Sequence, residues 1–208
     1  DIADQKKSKR ILNILKLIKK FVVEENYLEL SYLDIYVPNF LKKKKNAKKA
    51  ILDLIDGLIF DQSKVRVKNI SELIKYCYRV AGTVGILMCI ALDCKDKKAK
   101  KFATDLGIAM QLTNIIRDVL EDAKMDRRYL PSSITQDILP QNILKISKKK
   151  NLNINEYILI SNALDKLILI SEAYYKSGKM GLYFLPFKIR LSIAVAANVY
   201  REIGMIIK

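Results

Sequence analysis

The stretch from Leu106 to Asp122 leaves its backbone little choice. Leu, Ile, Met and Val dominate it, while Gln111, Asn114, Asp118 and Asp122 recur at steps of 3, 4 and 4 residues. At 3.6 residues per turn those four polar groups share one face of a helix. Two carboxylates one turn apart repel, so the face is either in water or holds a cation between them, and the apolar flanks argue against full solvation. Oxygen ligands without His or Cys suit a hard ion, Mg²⁺ or Mn²⁺. A partly exposed surface helix with solvated carboxylates is the competing reading.

The rest of the chain repeats the helical pattern. Only 7 Gly and 4 Pro interrupt 208 residues, half of them hydrophobic, which predicts an all-α protein with a sizeable core and one domain over 1–208. Helices are predicted over Gln5 to Glu25, Lys48 to Phe60, a long or kinked stretch from an Asn69 start to Leu92, Asp96 to Ala123, Ile154 to Lys176, and after Pro186. Val37-Pro38 should interrupt, and Met125 to Ser133 should be a loop, followed by short helical pieces to Lys150. The longest uncharged run, Val80 to Leu92, has 13 residues and two Gly, short of the roughly 20 that span a bilayer. It predicts a buried helix. No leader is readable before Asp1, and the missing Met suggests a fragment.

Several chemistries are excluded early. The chain has no His, and Cys77, Cys89 and Cys94 lack CxxC spacing, which removes imidazole acid-base catalysis and argues against zinc and Cys-His nucleophiles. An odd number of thiols fits a reducing cytoplasm. The net charge of +16, with runs at Lys42 to Lys45 and Lys148 to Lys150, could attract nucleic acid, anionic lipid or phosphorylated substrates. No aromatic-basic interleaving or nucleic-acid module accompanies it, so no nucleic-acid partner is expected, and the Lys runs read as solvated faces.

A second segment, Tyr76 to Gly85, places Gly82 and Gly85 inside a helix, where each destabilises by about 1 kcal/mol relative to Ala. Something must approach closely there. Helix packing or a kink explains it as well as an apolar channel for a long hydrocarbon does.

Tyr76 to Gly85, Leu106 to Asp122 and Asp126-Arg127-Arg128-Tyr129-Leu130-Pro131 together, in this order and spacing, resemble the squalene/phytoene synthase family. Asp1-Ile2-Ala3-Asp4 resembles the tail of that family's first aspartate-rich motif, Leu54 to Asp61 the segment before the Tyr-Cys-Tyr helix, and Leu185-Pro186 through Arg190 to Tyr200 its late helix. The resemblance implies an isoprenoid-synthase-type helical bundle around a central cavity. It further implies Mg²⁺, or Mn²⁺, held by Asp1 and Asp4 on one side and Asp118 and Asp122 on the other, against the diphosphate of an allylic substrate. Arg117, Arg127 and Arg79 would add charge-assisted hydrogen bonds. Gln111 and Asn114 would position diphosphate or metal-bound water, Tyr129 would help close the site, and Tyr76, Val80, Ala81, Gly82 and Gly85 would line the prenyl tunnel.

The reaction so implied is head-to-head condensation of two prenyl diphosphates through a cyclopropylcarbinyl diphosphate, with no nicotinamide if the product is phytoene. Asp105 to Asn114 and Arg79 to Gly82 look most like bacterial phytoene synthases, which take geranylgeranyl diphosphate. The alternatives are a squalene or C30 synthase using farnesyl diphosphate and a non-catalytic assembly factor of the same fold. The resemblance also implies a cytoplasmic enzyme, with peripheral membrane contact an option for releasing a hydrocarbon. With Asp1 at the extreme end, the first metal cluster should be incomplete and the 208-residue piece inactive.

Overall fold

The computed structural model describes residues 2–39, 45–147 and 154–207, with the side chains of residues 2–5 and of Ser147 outside that description. The expectations for Asp1, for the Asp4 carboxylate, and for most of both Lys runs therefore fall outside the described residues.

Helix α1 (Ile2–Val23) and the short α2 (Tyr27–Tyr32) lead to a coil through Val37-Pro38. Helix α3 spans Lys45–Asp61. Helix α4 (Ile70–Cys77) starts where the sequence predicts, because the Asn69 side chain accepts from the Glu72 amide at 2.9 Å while Glu72 Oε2 accepts from the Lys68 amide at 2.7 Å. It runs on through a π-helical turn, Tyr78–Gly82, into α5 (Thr83–Ala91). The extra residue of such a turn re-aims the side chains on either side of it. Ile70–Ala91 is long and apolar enough to cross a membrane by length and composition, yet here it packs between α3 and the next helix.

That next helix, α6 (Lys97–Arg117), is the centre of the bundle. It is flanked by α5, by the long α10 (Ile154–Met180) and by the last helix, α11 (Phe187–Ile206), with a 3₁₀ turn at Gly181–Phe184 between the last two. Between α6 and α10 lie α7 (Val119–Lys124), α8 (Ser132–Thr135) and α9 (Pro140–Ser147). The main core joins Leu73 and Cys77 of α4, Ile108, Leu112 and Ile116 of α6, and Leu167 of α10, with a satellite of Val22, Leu30 and Ile55 holding α1 to α3. Cys77 and Cys89 are buried, and all three thiols are free.

Two expectations change. The stripe helix is not continuous: α6 ends at Arg117, and Asp118 takes φ −98°, ψ 16° before α7 begins. The Asp118 carboxylate is gripped by its neighbour Arg117. The break is mild, since the Asp118 amide still bonds Asn114 O and the Asp122 amide bonds Asp118 O, both at 2.8 Å, so the polar groups keep one side. Gly85 is the second. A Cβ there would sit 2.3 Å from the Ala103 carbonyl oxygen, and one at Gly107 2.4 Å from the Ala81 carbonyl oxygen. These two glycines let α5 and α6 touch backbone to backbone. The missing side chain at Gly85 thus serves close helix packing on the side of Ala103, while the residue also borders the cavity described below.

Candidate active site

Two separate clusters occupy neighbouring parts of the bundle. One forms where the end of α3 meets α4 and the loop after α7. That loop turns at Asp126, whose positive φ of 53° ends α7, and is tied down by Arg128, whose amide bonds Val65 O at 3.1 Å while Val67 N bonds Arg128 O at 3.2 Å. Arg66 clamps Asp126, and the buried Arg128 guanidinium bonds Thr135 and Ser132. With that anchoring, Arg127 and Tyr129 point back at α3. Arg127 donates to the Asp61 carbonyl at 2.9 Å, a cation at a helix C-terminus. Tyr129 Oη donates to Asp61 Oδ1 at 2.7 Å, and Tyr76 Oη donates to Oδ2 at 3.0 Å. Burial pushes the Asp61 carboxyl above the ordinary carboxylate value against the pull of both phenols and of Arg127, and burial pushes both phenols up as well.

The polar stripe forms the other cluster. Arg117 Nε and Nη2 donate to the two Asp118 oxygens at 2.6 and 2.7 Å. Asp122 is half-buried, and burial first, then the Asp118 charge, lifts its carboxyl to about 6, with Arg127 opposing and Asp61 adding to the rise. Asn114 Nδ2 donates to Gln111 Oε1 at 3.3 Å, which leaves Asn114 Oδ1 buried without a hydrogen-bond partner. A buried acceptor left bare beside two mutually repelling carboxylates suits a hard cation, which would give it a partner. No three acidic side chains converge among the described residues, so Asp118 and Asp122 supply at most part of a metal shell there.

A cavity of about 400 Å³ opens beside the stripe. Gln111, Asn114 and Tyr200 stand at one end of it, and Cys89, Leu92 and Ala99 at the other, with Val80, Ala81, Gly85, Met110 and Ile193 between. Of the predicted tunnel residues, Val80, Ala81 and Gly85 line it. Tyr76 and Gly82 do not: Tyr76 faces Asp61, and a Cβ on Gly82 would meet Thr104 at 3.0 Å. The family resemblance, and not helical register, groups them with the tunnel wall: at 100° per residue Tyr76 and Gly82 already lie about 120° apart on a regular helix. Arg79 is half-buried beside Gly57.

A family model described as squalene/phytoene synthase matches residues 37–208. The chain belongs to that family. It is 38% identical over 159 residues to a phytoene synthase of Pseudescherichia vulneris, covering 76% of this chain and 49% of the relative. It is 36% identical over 155 residues to a 15-cis-phytoene synthase of Enterobacter agglomerans, covering 74% and 50%. The chain thus spans about half the length of the curated relatives it matches. Among solved structures, a squalene synthase from Alicyclobacillus acidocaldarius superposes with a TM-score of 0.70 at 16% identity, over 89% of this chain and 71% of that one. A dehydrosqualene synthase gives 0.66 at 24%, over 90% and 65%. These confirm the helical isoprenoid-synthase fold.

Two residues of this squalene/phytoene synthase fold escape sequence reasoning as site residues. Asp61 closes an ordinary amphipathic helix, and nothing local distinguishes it from a surface C-terminal Asp. Tyr200, on α11, lines the cavity and acts electrostatically on Arg117, helping to raise its pKa, a meeting of α11 and α6 that only tertiary structure reveals.

Proposed function

We propose that the protein of which this chain is part condenses two molecules of geranylgeranyl diphosphate head to head to give phytoene, in carotenoid biosynthesis. The observation that carries this reading is the juxtaposition of the stripe, Asn114, Asp118 and Asp122, with the apolar cavity. The stripe would hold Mg²⁺, or Mn²⁺, through Asp118, Asp122 and the bare Asn114 oxygen, with Asp1 and Asp4 as proposed ligands opposite. The bound metal would neutralise diphosphate and so make it a competent leaving group. Arg117 beside Asp118 and Arg127 near Asp122 would supply fixed cations toward the same anion, with Arg79 a proposed third, and Gln111 orients Asn114. Val80, Ala81 and Ile193 offer an apolar wall that keeps water from an allylic cation. The first coupling releases one diphosphate and one proton to give the cyclopropylcarbinyl diphosphate. Rearrangement then releases the second diphosphate and second proton to give the hydrocarbon without a reductant.

The length of the cavity wall leaves room for a C20 chain. Along α6 the cavity wall runs from Asn114 to Ala99, which at 1.5 Å per residue is about 22 Å. An extended prenyl chain at roughly 5 Å per five-carbon unit needs about 20 Å for geranylgeranyl and about 15 Å for farnesyl. A stripe of exposed apolar residues on α11, Phe187, Leu191, Val195 and Val199, supports peripheral membrane contact for product release from a cytoplasmic enzyme.

Equal amounts of the C15 and C20 diphosphates offered to the full-length protein with Mg²⁺ test the reading. A C40 hydrocarbon supports it. A C30 product moves it to the squalene or diapophytoene alternative, and no coupling of either leaves the non-catalytic relative.

A further inference from the structure

We propose that Cys89 and Cys94 form a modification site, a dithiol that a small-molecule disulfide oxidises reversibly to an intrachain disulfide, and that the closed bond stiffens the far end of the cavity. The inference stands independently of the condensation reading above. It starts from how α5 ends. Asp93 takes a positive φ of 48°, its amide bonds Ile90 O at 3.2 Å, and the Cys94 amide bonds Cys89 O at 2.9 Å. Those two bonds around a left-handed residue make the helix-ending motif that brings the side chains at its two ends together, ordinarily a pair of apolar groups. Here both are cysteines. A backbone hydrogen bond between two residues also keeps their Cα atoms near the separation of about 4.4–6.8 Å that a disulfide spans.

The thiols differ in access. Cys94 is half-buried and Cys89 is 4% exposed, while Cys77 is sealed in the main core. Oxidation therefore begins at Cys94. Its thiolate attacks one sulfur of a disulfide such as oxidised glutathione, that S–S bond breaks, and one small thiol leaves. Cys89 then gives its proton to solvent, attacks the Cys94 sulfur and expels the second small thiol. Two protein thiols are oxidised, and one small disulfide is reduced to two thiols. Burial first, then the neighbouring Cys94, pushes the Cys89 thiol up to about 12, so closure is slow near neutrality and faster in mildly alkaline buffer. Its consequence lies in the cavity. Cys89 and Leu92 line the end opposite Asn114, so the bond encloses Leu92 and Asp93 in a short covalent loop and holds a wall that otherwise depends on a helix terminus.

The test uses the full-length protein, incubated with oxidised glutathione in mildly alkaline buffer, then unfolded, alkylated and digested with trypsin. Val80 to Lys95 is released as one peptide carrying both cysteines, whereas Cys77 falls in Tyr76 to Arg79. The expected result is a Val80–Lys95 peptide two hydrogens lighter than the reduced one, with neither cysteine alkylated, and its return to the alkylated form after dithiothreitol. Cys77 should be alkylated throughout. Hydrogen exchange at Leu92 to Cys94 should slow in the oxidised protein, and Tm should rise by several degrees. Cys94→Ser should show neither change, and the wild-type comparison with and without dithiothreitol carries the test even if that variant does not fold. A glutathione adduct that persists on Cys94 while Cys89 is alkylated, thiols that both stay reduced, or closure that leaves exchange at Leu92 to Cys94 unchanged overturns the proposal.

Discussion

Tyr129 reaches across 68 positions of sequence to donate its hydroxyl hydrogen to Asp61 Oδ1 at 2.7 Å. That bond joins the loop after α7 to the end of α3, and it holds Arg127 near both Asp61 and Asp122, where its charge opposes the rise in pKa that burial imposes on each. The two groups depend on it differently, because Asp61 is held by phenols while Asp122 has its nearest relief in whatever cation the stripe binds.

Asp118→Asn and Asp122→Asn should each abolish product formation while the protein keeps its cooperative melt. In the wild type, Mg²⁺ with a non-hydrolysable prenyl diphosphate should raise Tm. In either variant that rise should vanish. A variant of normal activity would remove these carboxylates from the metal assignment.

The pH dependence follows from Asp122, lifted from 3.8 to about 6 by burial and by Asp118. The folded state therefore binds this proton more tightly than the unfolded chain, so protonation favours folding, and stability should fall as the pH rises from about 4 through 6. Melting in EDTA across that range measures the slope, and Asp122→Asn should flatten it. A slope unchanged in the variant would assign the titration elsewhere. Added Mg²⁺ should restore more stability at neutral pH than at about pH 5, since metal and proton compete for one carboxylate.

Gly85→Leu should fail as a packing variant. With the Ala103 carbonyl 2.3 Å from any added Cβ, even Gly85→Ala must push α5 off α6, at about 1–3 kcal/mol and several degrees of Tm. Differential scanning calorimetry without substrate checks it. A Gly85→Ala protein of wild-type Tm would show that α5 and α6 do not meet there backbone to backbone.

The cavity floor makes a chain-length prediction. Ala99 lies at the far end from Asn114, and Ala99→Phe should cut turnover of the C20 diphosphate by at least about tenfold relative to the C15 diphosphate. Equal loss on both substrates would place the prenyl chain elsewhere.

Much of the fold is legible in the sequence. The Asn69 cap, the breaks at Val37-Pro38 and Pro186 and the long helices are dictated by local chemistry, and the structure places them within a few residues of where the sequence does. The register around Tyr78–Gly82 is not legible, because a π-helical turn adds a residue that periodicity does not announce. Tyr76 is off the expected tunnel wall for another reason, its bond to Asp61 on a different helix. At Gly85 small size serves both close packing and the cavity wall, and only the position of Ala103 reveals the packing part. Asp61 and Tyr200 act through partners on other helices, a relation that the sequence of either helix alone does not contain.

The proposed function requires the full-length protein to carry out two metal-assisted ionisations on two prenyl diphosphates without a reductant, and stoichiometry measures this most directly. Full-length protein given labelled geranylgeranyl diphosphate and Mg²⁺, with no nicotinamide present, should release two diphosphates for every phytoene formed and none when EDTA is added. Hydrocarbon that forms only with a nicotinamide, diphosphate release that survives EDTA, or release with no hydrocarbon at all would contradict it.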